Sequence, residues 1–104
     1  MTTIRIENWK LVNRRHMEVS PAFDNEIHFM GSVFGHPQFR DGSVISSSRI
    51  TGFDGDNFLT ESGFVYELGE TFDAYEGRYP RARQQLKARL KNAENLNHKE
   101  QTAC

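Results

Sequence analysis

Four histidines, one cysteine and a run of three serines are the side chains from which metal or nucleophilic chemistry could be built in this chain. His16, His28, His36 and His98 are scattered, with no HxH, HxxxH or CxxC spacing, and Cys104 is the last residue. A structural zinc site draws four ligands from closely spaced pairs, so neither a metal nor a cofactor is expected. Ser46, Ser47 and Ser48 lack the Gly-x-Ser-x-Gly turn that lifts a nucleophile off a strand end. They read as the polar face of a strand. Glu61, Glu67 and Asp73 could supply paired carboxylates for proton transfer, but such a pair needs a cleft, and a domain of this size advertises none. "GFDGDNF" (52–58) lacks the oxygen ligands and closing Glu of a calcium loop. A hairpin turn explains it better, and the expectation is a non-enzymatic protein.

His36 lies in "GSVFGHPQFRDGS" (31–43). Pro37 pushes the residue before it toward extended backbone, and Asp41-Gly42 is turn chemistry leading into the next strand. The stretch reads as a joint between strands. His36 is expected to hold it by a hydrogen bond, with Phe34 and Phe39 tucked inward on either side.

Charge carries more information. The chain sums to −1, yet residues 52–77 hold seven acids (Asp54, Asp56, Glu61, Glu67, Glu70, Asp73, Glu76) and no base. Residues 78–91 then hold six bases (Arg78, Arg81, Arg83, Lys87, Arg89, Lys91) and no acid. Arg81 and Arg83 fall in the first turn of an expected helix, where a cation costs about 0.3–1 kcal/mol. Arg83, Lys87 and Lys91 recur every four residues, a ridge of like charge that costs roughly a few tenths of a kcal/mol per pair. Something must compensate this arrangement. Either the acidic segment lies against the helix, or a partner of opposite charge does.

Two binding surfaces follow. The first is a protein-contact surface made of Glu67, Glu70, Phe72, Asp73, Tyr75 and Glu76 with Arg83, Lys87 and Lys91. Aromatics in a polar connector often anchor protein contacts, though Phe72, Tyr75 and Tyr79 could equally seal the end of a small barrel. The second is a nucleic-acid surface made of Arg78, Arg81, Arg83, Lys87 and Lys91. The helix has no interleaved aromatics and no recognised nucleic-acid motif, which ranks this alternative lower.

The elements that must position these residues are mostly strands. Eight Phe, three Tyr and one Trp suit a β-rich core. "TIRIE" (3–7) alternates apolar and polar residues, "NWKLV" and "HMEVS" continue or follow it, and Pro21 marks a turn or edge. Ile27, Phe29 and Val33 share a face, with Gly31 as a bend or bulge between them. Residues 43–53 and 58–68 read as the two arms of an antiparallel hairpin around "DGDN". Pro80 opens a helix whose apolar stripe is Ala82, Leu86, Leu90 and Ala93. The expected architecture is α+β: a small antiparallel sheet or SH3-like barrel of four to five strands with one C-terminal helix. It forms a single domain over 1–96, with a flexible tail at 97–104. There is no long apolar run, no signal-peptide pattern and no second cysteine, so a cytoplasmic monomer or homodimer without a membrane partner is expected.

The central block, "GSVFGHPQFRDGSVISSSRITGFDGDNFLTESGFVYELG" (31–69), resembles small uncharacterised proteins of bacteriophages and prophages. The shared pattern is a GHPxFxDG turn, a strand ending near Ser-Arg-Ile and a closing SGxxYxLG strand. The resemblance implies a mobile-element accessory protein. Such a protein binds a host protein or complex and blocks a host defence system by covering a surface, as anti-CRISPR inhibitors do.

Overall fold

Strand β1 (Thr3–Val12) shows the inward pattern Ile4, Ile6, then Trp9 and Leu11, so the alternation slips by one residue midway. The slip is a β-bulge. In the computed structural model, which describes residues 3–23 and 25–91, the register against the next strand shifts between Glu7 and Lys10. Asn8 takes up the extra residue with φ 51°, a left-handed conformation that asparagine tolerates better than most residues. The same slip separates "TIRIE" from "NWKLV" in the sequence, where one strand looks like two.

The partner strand is β2 (His28–Phe34), antiparallel to β1. Gly31 faces the bulge. A Cβ there would meet Glu7 O at 2.7 Å, Ile6 Cγ1 at 2.9 Å and Trp9 Cα at 3.0 Å. The bulge expected at Gly31 is thus in the facing strand, and Gly31 supplies the room for it.

Four short strands follow: β3 (Ser43–Ser46), β4 (Ile50–Asp54), β5 (Asn57–Thr60) and β6 (Val65–Leu68). The six-stranded sheet has the order β3-β2-β1-β6-β5-β4, and all neighbours are antiparallel except β1 and β6, which run parallel. Two expectations are corrected. The strand count exceeds four to five, and the sheet is mixed. The supposed hairpin over 43–68 resolves into four strands: β4 and β5 turn at Gly55-Asp56, β5 and β6 turn again over 61–64 so that the expected arm 58–68 is itself broken, and β3 leaves to pair with β2. Serines 47 and 48 break the run: the Ser47 hydroxyl accepts from Phe29 N at 2.9 Å and donates to Ser48 O at 2.8 Å.

That break shapes the sheet. Six strands at about 4.8 Å spacing put β3 and β4 about 24 Å apart if the sheet is flat. The stretch from Ser46 to Ile50 spans at most about 14 Å. The sheet must therefore curl until its edges approach. No ladder joins β3 to β4, so the result is a strongly curled open sheet and not a closed SH3-like barrel.

The concave side holds the core. Trp9 meets Phe29 edge-on at 5.9 Å between centroids, and Phe29 meets Phe58 at 5.5 Å and Tyr66 at 6.2 Å. Two helices close over it where one was expected. Helix α1 (Asp73–Arg78) occupies what the sequence suggested was a connector, and helix α2 covers 82–91. Ala82, Leu86 and Leu90 are buried as their spacing predicts; Ala93 and the tail at 97–104 lie outside the described residues. Pro80 and Arg81 form the turn that leads into α2, with Ala82 N donating to Tyr79 O at 3.1 Å.

Because Gly31 has no spare volume, Gly31→Ala is expected to lower stability by about 1–3 kcal/mol. A fall in the urea midpoint with an unchanged slope would register it, while an unchanged midpoint would mean that the bulge yields.

Candidate functional site

Past the end of β6 the chain stays beside β1 and builds one wall of a groove. Gly69 N donates to Ile6 O at 2.9 Å, Trp9 N to Glu70 O at 3.3 Å, and Phe72 N to Trp9 O at 2.9 Å. The Trp9 indole donates to Gly69 O at 3.1 Å. Glu7 adds a side-chain tie: its carboxylate accepts from Glu70 N at 2.7 Å and from Arg5 Nε. It lies so close over Gly69 that a Cβ there would collide with it.

The groove itself, about 540 Å³, lies between this segment, α1 and the start of α2. Glu70, Asp73 and Glu76 line it together with Tyr79, Arg83 and Gln84. Asp73 and Glu76 stand in the first turn of α1, where the helix dipole favours carboxylates. None of the three acids has an ion-pair partner among the described residues.

The bases of 78–91 are mostly engaged. Arg83 donates to Gly69 O at 2.9 Å and lies over the Trp9 ring at 6.0 Å. Carbonyls and an indole face thereby offset the cost of a cation at the helix start. Arg78 makes a two-pronged contact with Glu18 at 2.8 and 2.7 Å. Lys87 pairs with Asp56 at 3.2 Å and sits over Phe53, and Arg89 donates to Asn25 O at 2.7 Å. Arg81 and Lys91 are exposed. Of the acidic segment 52–77, Asp56 alone forms an ion pair with these bases; among the described residues backbone carbonyls and Glu18 add further compensation.

The expected contact residues therefore divide. Glu70, Asp73, Glu76 and Arg83 share the groove. Glu67 is exposed on β6, between inward Tyr66 and Leu68 and across from Arg5. Phe72 is 42 % exposed, with Lys10 Nζ 5.4 Å from its ring centre. Lys87 and Lys91 lie farther along α2, outside the groove. Tyr75 must be withdrawn from any contact surface: it is fully buried, packs on Trp9 at 6.4 Å, and its hydroxyl donates to Val19 O at 2.8 Å. Burial pushes that hydroxyl's pKa far up. Tyr75 seals the core, the other role its position allowed.

His36 does hold its connector. Its Nδ1 accepts from Gln38 N at 3.0 Å. The inward tuck of the flanking phenylalanines is corrected, since Phe34 and Phe39 are 38 % and 44 % exposed; the histidine itself is buried, between Phe39 and Phe64.

The residues that position the groove, Glu7, Trp9 and Gly69, escaped the sequence reading. Trp9 could have been flagged as the only tryptophan, but nothing marks Glu7, whose tie to the groove wall is to Glu70, sixty-three residues away. Among the described residues no three His, Cys, Asp or Glu side chains converge as a metal site, and no helix is long and apolar enough to cross a membrane. A scan against protein-family models finds no match for this chain, and a search of curated proteins finds none either.

The Glu70 amide, and then Arg5, hold the Glu7 carboxyl below the ordinary carboxylate pKa. A lowered acid contributes stability above its unfolded value, near 4.5, and loses it as pH falls through the folded value. Glu7→Gln, which keeps an acceptor for Glu70, is expected to flatten the acid limb of melting temperature against pH. An identical limb in both proteins would refute this. Tyr75→Phe is expected to cost about 1 kcal/mol in urea unfolding through the lost bond to Val19 and to leave the groove surface unchanged.

Proposed function

We propose that this chain is a small non-enzymatic binding protein that covers a basic surface of a partner protein. The observation that supports this best is the groove itself. It gathers Glu70, Asp73 and Glu76, none of them in an ion pair among the described residues, while the neighbouring bases are mostly spent inside the molecule. Unpaired carboxylates around a concave surface favour lysine or arginine side chains entering from outside. Glu67 and the half-exposed Phe72 extend the surface beyond the groove. In this reading the protein works in the cytoplasm. The idea that it is a phage-type inhibitor of a host defence system, anti-CRISPR-like in action, rests on the resemblance of residues 31–69 alone.

Nucleic-acid binding through Arg78, Arg81, Arg83, Lys87 and Lys91 has less support. Arg78, Arg83 and Lys87 already have partners within the chain, so binding would first have to break those contacts.

Affinity capture from bacterial lysate, with and without nuclease, separates the two readings. The expected result is a protein partner that survives nuclease, is lost with the double variant Asp73→Lys/Glu76→Lys, and is retained with Arg81→Glu/Lys91→Glu. Its binding should weaken as salt rises. Recovery of nucleic acid alone, or capture indifferent to the Asp73/Glu76 reversal in a folded variant, would overturn the proposal.

A further inference from the structure

We propose that the connector 35–42 between β2 and β3 is a proton-operated latch, with His36 as the bolt in an aromatic slot formed by Phe39 and Phe64. The slot is close-fitting: the imidazole lies 4.7 Å from the Phe39 ring and 4.9 Å from the Phe64 ring, and the residue is only 8 % exposed. Phe64 belongs to the turn between β5 and β6, so His36 ties a loop at one edge of the curled sheet to a turn near the other.

The protonation state of the closed form is set by its hydrogen bond. Nδ1 accepts from Gln38 N at 3.0 Å, so the ring is neutral with its proton on Nε2. Protonation turns Nδ1 into a donor facing a donor, and the bond is lost. It also places a full charge on a largely buried ring, at a cost in hydration. Among the described residues no carboxylate relieves that charge. On the connector, Asp41 accepts from Gly35 N at 2.9 Å and Arg40 is exposed. On the β5–β6 turn, Glu61 pairs with Arg49 at 3.0 Å. Burial is the sole cause that pushes the His36 pKa below its ordinary 6.5.

The connector is built to move as a piece. Gly35 and Gly42 bound it with φ of 78° and 88°, and nothing stands within 4 Å of where their side chains would be. Such positions can absorb a change of backbone direction with little steric cost. The sheet does not depend on the slot, because β2 and β3 pair through Met30–Val33 and Ser43–Ser46. The sign follows from the lowered pKa. The closed latch is fully favoured above pH 6.5 and gives way as pH falls through the folded value of His36. Opening bares Phe64 and frees Phe39 at the tip of the β2–β3 hairpin.

Amide hydrogen exchange by NMR tests this directly. The Gln38 amide is expected to lose protection by up to about tenfold per pH unit below 6.5, the limit for one linked proton, while the β1 amides keep theirs. His36→Gln, which retains an acceptor, is expected to hold Gln38 protection constant over the same range. If that variant fails to fold, the wild-type His36 ring resonances give the second readout, staying neutral until the Gln38 amide opens. Constant Gln38 protection in the wild type, loss in step with β1, or the same slope in His36→Gln would each overturn the proposal.

Discussion

The bulge at Asn8 is the constraint on which the rest of this protein depends. Without it, β1 would continue the parity set by Ile4 and Ile6, and Trp9 would point into solvent. With it, the only tryptophan turns inward against Phe29 and Tyr75, and its indole reaches Gly69, just past the end of β6. A buried indole needs a partner for its N–H; Gly69 O supplies one and thereby positions the start of the groove wall. Gly31 on one side and Gly69 on the other are the complements of this slip. The first leaves room for the bulged backbone, and the second leaves room for the Glu7 carboxylate.

The charge pattern reads differently once geometry is known. A basic helix beside an acidic segment invites the idea that the two simply neutralise each other. They do so at one point, Lys87 with Asp56. Elsewhere the bases find carbonyls, an aromatic face and a glutamate from the first quarter of the chain. The acids at the groove are consequently left facing water. Segregation along the sequence has become an excess of negative charge at one place on the surface.

What could be read from the sequence, and what could not, follows from the range of the interactions. The α2 stripe, the turn at Gly55-Asp56 and the hydrogen bond that His36 makes depend on near neighbours, and the residues declared them; the turn at 61–64 that splits 58–68 into β5 and β6 did not show. The division of 43–53 into two strands depends on Ser47 bonding to Phe29, eighteen residues away. The parallel pairing of β1 with β6 depends on contacts across some sixty residues. Helix α1 is six residues long and has no side-chain cap, so it carries neither the periodicity nor the boundary signal that a helix usually shows. The choice between the two roles open to Tyr75 has the same cause: its burial is decided by Trp9 and Val19, not by the polar residues beside it.

The parallel seam has a consequence for how the molecule comes into being. On each side of it lies a three-stranded meander, β1-β2-β3 and β4-β5-β6, whose pairings are comparatively local. The seam must close a loop from Thr3–Ile6 to Val65–Leu68, and so distant a pairing carries the largest entropic toll of any step in assembly. Gly69, Glu70 and Phe72 take their places from β1, so the groove has no existence in either meander alone. On the proposed reading, recognition is thereby reserved for the completed chain, and a nascent or half-folded copy has no groove to offer.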